Sequence, residues 1–572
     1  NMSSQRQPDT ERIDQDSQQS KIYMEEFNQH GDGGVDADIN HDDDGLIDAD
    51  SSNYGKLRRQ IESDDPDLVK LRIGHDDEYF PDDWDRFGKA IGINSHLKEL
   101  RFLGLAATPF RRERVTKEDF EKFFRGLFQN RSIQKMSFVN CNLFAGEIIR
   151  ILIPFFTGNH NFESLEISLC DLGRNGLRCL SVALSEFNSL KEFALSSFGS
   201  RTLQEVIKAL SGHSRLRTLN LRENNIGRNG CDALATLLQN PNSGLAVLDL
   251  YKDNIDDKGA IVLATALAGN NTLIDLNFGS NRSITITGWR AIFAVLQSPH
   301  SRLGSLSLRD NNISDDAALS LMNALSNNNA LKALELGNCS NITIAGWCAF
   351  SGFLLSPNSI LEELNLHSNR FNDDVAISLA TYLASNSTLK RLNLSSNRGI
   401  TNLGWQALSA VLENPYSALE KLDLGSNRIN DDAVISFANS LTNNTKVTVL
   451  LIAGNRNITN NGWAAFSRML CNKLSIMDTY LSNHTLQKFC VDRFLPNDLR
   501  SLLRLNRENS KSEAARLKIV SHHFRGNFNM QPFIDMELKV FPRAIAWMAK
   551  DEINDTMYRF IRITPSLFEM AM

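Results

Sequence analysis

From residue 216 onward the chain repeats one apolar–polar cadence, L-x-x-L-x-L-x-x-N, shown most fully by Leu361, Leu364, Leu366 and Asn369. Copies begin at Leu216, Leu245, Leu273, Leu303, Leu331, Leu361, Leu389, Leu419 and Val447, and degenerate ones at Leu97, Ile133, Phe162 and Leu190. After one interval of 29 residues the regular copies alternate between 28 and 30. Apolar residues at positions four and six, with polar ones between, predict a short strand buried on one face. A turn and then helical spacing follow, as in Ile377, Leu379, Ala380 and Leu383. A unit of this size cannot bury its apolar face alone, so the copies are predicted to stack on one another.

Trp289, Trp347, Trp405 and Trp463 each follow a glycine and stand 58 residues apart. On a 29-residue step the equivalent positions are Cys231, Ala260, Ala318, Ala376 and Val434, so large alternates with small. That alternation predicts a packed seam between neighbouring helices rather than an aromatic strip in solvent. The pairs Asp256-Asp257, Asp315-Asp316, Asp373-Asp374 and Asp431-Asp432 immediately precede helical patterns and are predicted to cap those helices. The ninth position carries Asn224, Asn281, Asn311, Asn369, Asn397, Asn427 and Asn455, or Cys141, Cys170 and Cys339. An inward polar side chain there can satisfy backbone groups where the chain leaves the strand. Asp253 departs from the pattern.

These residues resemble the leucine-rich repeat proteins of the ribonuclease-inhibitor type over residues 97–475. The resemblance implies an α/β solenoid, a horseshoe with parallel strands on the concave face and helices on the convex face. It also implies Asn or a free Cys at the ninth position.

At 572 residues, with 42% hydrophobic and 22% charged residues, the composition is that of a soluble folded chain. The charge is uneven: residues 1–94 carry −14, which leaves +8 on the remainder of a chain whose net charge is −6. Residues 1–65 are expected to be an acidic arm without fixed structure. Residues 66–96 are expected to cap the array, which occupies 97–475. Residues 476–572 are expected to form a helical C-terminal cap, with helices at Ser512 to Phe524 and Phe541 to Met548. The tail resembles that of expanded leucine-rich repeat proteins of diatoms and related algae, a likeness that implies no activity. Asn40 to Ser51 follow the spacing of a calcium loop, but Ser51 stands where a bidentate Glu is needed, so no metal is assigned. No secretion signal or membrane span is evident, and the eight cysteines lack paired spacing, which points to the cytoplasm.

Candidate binding residues are those at strand positions three, five and seven, turned away from the helices. They are Glu166, Glu192, Arg222, Asp249, Tyr251, Asp275, Arg309, Glu335, Glu363, His367, Arg391, Lys421 and Asp423. A second set follows the ladder residue on the ascending rim: Arg282, Arg370, Arg398, Arg428 and Arg456. The mixed signs argue against nucleic acid, whose phosphates call for Lys and Arg throughout. The histidines show no metal-ligand spacing, no nucleophile–base grouping can be placed on a common site, and no phosphate loop is present. A non-enzymatic scaffold for a protein partner is therefore expected, without cofactor, metal, membrane or small-molecule substrate. The alternative is a regulator of a small GTPase, resembling the Ran GTPase-activating protein, from which no residue carries over.

Overall fold

In a computed structural model the protein is described at residues 47–48, 54–74, 83–104, 116–143, 146–170, 172–198, 203–356, 358–490 and 495–524. These form two compact units. The first reaches Leu221 and includes residues 242–248 and 273–275; the second takes Arg222–Pro241, Asp249–Thr272 and the described residues from Leu276 onward. Each unit is built from the expected strand–turn–helix repeat, with its strands paired in parallel.

In the first unit the strands Lys70–Gly74, Glu99–Leu103, Lys135–Val139, Ser164–Ser168, Glu192–Ser196 and Thr218–Asn220 pair in chain order. Their inward residues meet a core rich in phenylalanine. Phe102, Phe120, Phe123, Phe124 and Phe138 are fully buried, and the rings of Phe102 and Phe138 stack at 5.0 Å. The helices Trp84–Ile93 and Lys117–Gly126 touch backbone to backbone. A Cβ on Gly88 would lie 2.2 Å from the carbonyl oxygen of Phe123, so only glycine fits there.

Where residues 66–96 are described they carry a strand, Lys70–Gly74, and a helix, Trp84–Ile93, with Leu68, Leu71 and Ile73, all buried, as one more degenerate copy of the cadence. One expectation for this end is corrected. The arm expected to lack structure up to residue 65 is ordered at Ile47–Asp48, which pairs with Leu71 and Arg72, and in the helix Tyr54–Glu62. Leu57 and Ile61, one helical turn apart, are buried and anchor that helix. Residues 1–46, most of the calcium-loop spacing, and the expected helix from Phe541 to Met548 lie outside the described residues.

In the second unit the alternation of 28 and 30 appears as register. Ser305 pairs with Ala333, Ala333 with Glu363, Glu363 with Arg391, Arg391 with Lys421, and Lys421 with Val449. The segment after 475 is not purely helical: Lys488–Cys490 adds a parallel strand to Val449–Leu451 before the helices Asn497–Glu508 and Lys511–Ile519. Leu486 and Phe489, both buried, stand at positions one and four of a further degenerate copy.

Trp289, Trp347 and Trp405 are at most 1% exposed, as are Ala260, Ala318, Ala376 and Val434 between them. Trp463 is half-buried. The indoles reach aromatic neighbours, Trp347 meeting Phe371 of the next repeat edge-on at 5.1 Å. The small residues meet the preceding glycines instead: a Cβ on Gly288 would stand 3.2 Å from Ala260 Cβ, and one on Gly404 2.9 Å from Ala376 Cβ. Glycine before tryptophan is thus the close-contact position of the seam.

The aspartate pairs act differently from expectation. Only Asp256 caps the helix it precedes; in the other repeats Ser314, Asn372 and Asn430 do so. The pair lies one residue later in those copies, which moves it past the cap. The aspartates at the first helical position, Asp257, Asp315, Asp373 and Asp431, reach into the next repeat. Asp373 accepts from Thr401 N–H at 2.7 Å, from Thr401 Oγ1–H at 2.6 Å and from Gly404 N–H at 3.1 Å. Asp257, Asp315 and Asp431 bind Thr285, Thr343 and Thr459 in the same way. Each carboxylate therefore clamps the start of the following helix, meeting its orphan donors and its dipole from outside.

Burial alone would raise Asp373, but the Thr401 and Gly404 donors outweigh it and hold the carboxyl below its ordinary value. A depressed folded pKa gives stability that is present above the unfolded pKa and is lost as pH falls through the folded one. Asp373→Ala is expected to cost about 1–2 kcal/mol near neutral pH. In urea unfolding, the difference from wild type should shrink as the carboxyl protonates; a pH-independent difference would mean the clamp is not ionic.

Candidate functional site

The outward strand positions of the second unit form three rows with distinct roles. Row five is largely structural. Asp249, Asn277, Asn365, Asn393 and Asp423 each accept, through Oδ1, the N–H two residues on, at 2.8–3.2 Å. Burial pushes both Asp249 and Asp423 above the ordinary carboxylate range, against the pull of those N–H groups and of nearby cations. Glu335 accepts from Ser307 Oγ–H at 2.7 Å and from Asn365 Nδ2–H at 3.2 Å. Asp249 and Glu335 are each only 8% exposed, so these two candidates are framework more than open surface; Arg309, equally buried, supports Tyr251 in row seven.

Row three carries Glu363, Arg391 and Lys421, all half-exposed, with Arg391 Nη2 2.6 Å from Glu363 Oε1. In the first unit Asp275, at the same strand position, is also half-exposed, as are Glu166 and Glu192; Glu166 accepts from Ser137 Oγ–H at 2.5 Å, and Glu192 pairs with Lys135 at 3.1 Å.

Row seven is the most organised. Tyr251 lies between two guanidiniums, with Arg309 Cζ 4.6 Å and Arg222 Cζ 5.4 Å from its ring centroid. Its hydroxyl donates to Asp310 Oδ2 at 3.0 Å, and Asn338 Nδ2 holds the other oxygen of that carboxylate at 2.8 Å. The stack spans Gly279, where a Cβ would come within 2.8 Å of Tyr251 Cδ2 and 3.1 Å of Arg309 Cγ. His367 likewise lies over Gly337, whose Cβ would meet Nε2 at 2.1 Å. Large side chains thus cross glycines along the row, as they alternate with small ones in the helix seam. A tyrosine held by two cations and a hydroxyl bond gives up little rotamer freedom when a partner covers it. Sequence reasoning placed Arg222, Tyr251, Arg309 and His367 on this surface but missed Asp310, Gly279 and Gly337. Asp310 falls one place after the strand alternation ends, and the glycines show only in retrospect, flanked by large residues one repeat away on either side.

On the rim, Arg282, Arg370, Arg398, Arg428 and Arg456 are all exposed. Arg282 Nε donates to Asp310 O at 3.0 Å, and Arg398 Nε to Ser426 O at 3.4 Å.

A separate group of titratable residues lies near the C-terminal helices. Lys518 is fully buried, and Nζ donates to Leu470 O at 2.7 Å, Asn483 O at 3.0 Å and His484 Nδ1 at 3.1 Å. Burial pushes Lys518 down to about 7; burial, then the Lys518 charge, push His484 to about 4. Three acceptors use all three N–H groups of an ammonium, so this node reads as structural. Among the described residues no group of three or more His, Cys, Asp or Glu could hold a metal ion, and no helix is long and apolar enough to cross a membrane. Cys141, Cys170 and Cys339 form no disulfide among the described residues and are buried in the ladder.

A family model for the leucine-rich repeat matches residues 158–181, 214–235, 385–409 and 418–438. The chain is similar to NACHT, LRR and PYD domains-containing protein 14 of Mus musculus, at 29% identity over 51% of this chain and 30% of that protein. It is similar to the ribonuclease inhibitor of Sus scrofa, at 27% identity over 54% of this chain and 74% of that protein. The chain thus spans less than a third of the mouse relative. A solved complex of yeast Rad7 and Elc1 overlaps 80% of this chain and 96% of its matched chain, at 16% identity and a TM-score of 0.35.

Proposed function

We propose that this chain, a leucine-rich repeat protein of the ribonuclease-inhibitor type, is a non-catalytic scaffold that binds a protein partner on the open face of its second unit. The observation that carries the reading is the Arg222–Tyr251–Arg309 stack, tied down through Asp310 and continued by His367. Tyr and Arg concentrate binding energy at protein interfaces when they are rigid and can be desolvated together. Large side chains lying over Gly279 and Gly337 on neighbouring strands spread the row across several repeats, which suits a broad partner better than a small molecule. Row three adds charges of both signs around the stack, as a polar rim does around an interface core. Free ladder thiols suit the cytoplasm as the setting.

The test is affinity capture with the full chain from an extract of the source cell, repeated with Tyr251→Ala. A partner recovered by the wild type should be lost by the variant, while the circular dichroism and urea midpoint stay close to wild type. Equal recovery by both chains would move the site elsewhere.

A further inference from the structure

We infer that the rim arginines form a second docking site, distinct from the sheet face, for an extended acidic segment of a protein. Arg370, Arg398, Arg428 and Arg456 occur on four consecutive repeats whose strands are hydrogen-bonded in turn. Each directly follows a ladder asparagine. Asn369 N–H donates to Asn397 Oδ1 at 2.9 Å, Asn397 N–H to Asn427 Oδ1, and Asn427 N–H to Asn455 Oδ1 at 2.8 Å. The backbone beneath the arginines is therefore pinned rung to rung, at the roughly 5 Å step of a parallel sheet. All four side chains are exposed, and among the described residues none has a carboxylate within ion-pair distance. Like charges on adjacent rungs repel one another, a cost that a bound anion would relieve.

Backbone geometry gives a second, independent reason. Arg370 and Arg428 hold the left-handed conformation, with φ of +56° and +61°. At the same place in earlier repeats stand Asn225 and Asn254, with φ of +54° and +52°. Asparagine tolerates that conformation better than arginine does. Arginine is therefore not there to suit the turn, and its charged head is what the position supplies.

The row is a single line of charge, which matches a chain with carboxylates spaced along it. The residues flanking the arginines in sequence are Asn369 and buried Phe371, Asn397 and Gly399, Asn427 and buried Ile429, and Asn455 and Asn457. None offers an exposed ring on which a base could stack, so an acidic polypeptide fits better than a single-stranded nucleic acid.

This site does not depend on the sheet-face reading, and one experiment separates the two. The full chain is titrated against fluorescein-labelled poly-glutamate and, in a parallel arm, against labelled single-stranded RNA, following anisotropy at low and high salt. Poly-glutamate should bind at low salt and weaken as salt rises. The variant carrying Arg370→Gln, Arg398→Gln, Arg428→Gln and Arg456→Gln should bind it roughly tenfold less tightly or worse. Tyr251→Ala should leave this binding unchanged. The quadruple variant should unfold at the same temperature as wild type or a higher one, and Arg370→Asn with Arg428→Asn should raise the midpoint. Equal poly-glutamate binding by the Gln variant, binding of RNA but not of poly-glutamate, or a lowered midpoint in the Asn variant would each overturn the inference.

Discussion

Trp347→Ala is expected to lower the unfolding free energy by about 3–5 kcal/mol. The indole is 1% exposed and meets Phe350 within its own repeat and Phe371 in the next, at 5.6 and 5.1 Å. Its helix cannot slide inward to fill the gap. Gly346 already approaches Asp315 so closely that an added Cβ would fall 2.1 Å from Oδ1, and the Asp315–Thr343 clamp fixes the helix start. A rigid frame keeps the cavity open, which is the condition for a loss at the upper end of that range. Trp347 Nε1 is buried without a partner, so a hydrogen bond contributes nothing to the loss. Trp347→Phe should therefore recover much of the stability, which a polar role for the indole would not allow. Trp463→Ala should cost less than Trp347→Ala, because Trp463 is half-buried. Urea unfolding of the three variants checks the order; equal losses at 347 and 463 would contradict the packing account.

Asp253→Asn is expected to stabilise the chain by about 1–3 kcal/mol at neutral pH, opposite in sign to most buried substitutions. Asp253 occupies the asparagine ladder. There Asn281 Nδ2 donates to Leu250 O and Phe278 O while Oδ1 accepts from Asp253 N–H and Ile255 N–H. Asp253 Oδ1 accepts from Asn224 N–H at 2.7 Å, but Oδ2, in the place of the amide nitrogen, is buried without a partner. Burial above all holds its carboxyl well above the ordinary range; the Asn224 N–H opposes this, and the Asp249 and Glu223 charges add to it. A raised folded pKa means stability that is fully present below the unfolded value, near 3.9, and is lost as pH rises through the folded value. Asparagine supplies the missing donors at every pH. The gain from Asp253→Asn should thus grow as pH rises through the acid range, as measured by urea unfolding at several pH values. A gain that is flat with pH, or a loss, would show that Asp253 is satisfied in some other way.

The sequence made the repeat legible because its cadence comes from backbone geometry that every copy must obey. Leu364 and Leu366 must point inward, Asn369 must feed the ladder, and Trp347 must alternate with Ala318 and Ala376. Interactions between repeats were less legible, since they join residues 28 to 31 positions apart with no local pattern to mark them. Asp373 looked like a cap for its own helix because capping is a local rule; its partners Thr401 and Gly404 lie one repeat on. On the open face, alternation identified which side chains point outward but not which are already engaged. Asp249 and Asp423 bind backbone N–H groups, whereas Tyr251 is held ready by partners drawn from two other repeats. The degenerate copies at Leu68 and Leu486 keep apolar positions one and four but, like those at Leu97 and Leu190, lack the ladder residue.

The most direct test of the central claim is the dissociation constant of a captured partner for the wild-type chain, for Tyr251→Ala and for Ile377→Ala, a substitution on an exposed helix position 38% accessible to solvent. The account predicts that Tyr251→Ala weakens binding by at least about 2 kcal/mol, roughly 30-fold, while Ile377→Ala binds as wild type does. Unchanged affinity at Tyr251 with a loss at Ile377 would contradict it and place recognition on the helical face.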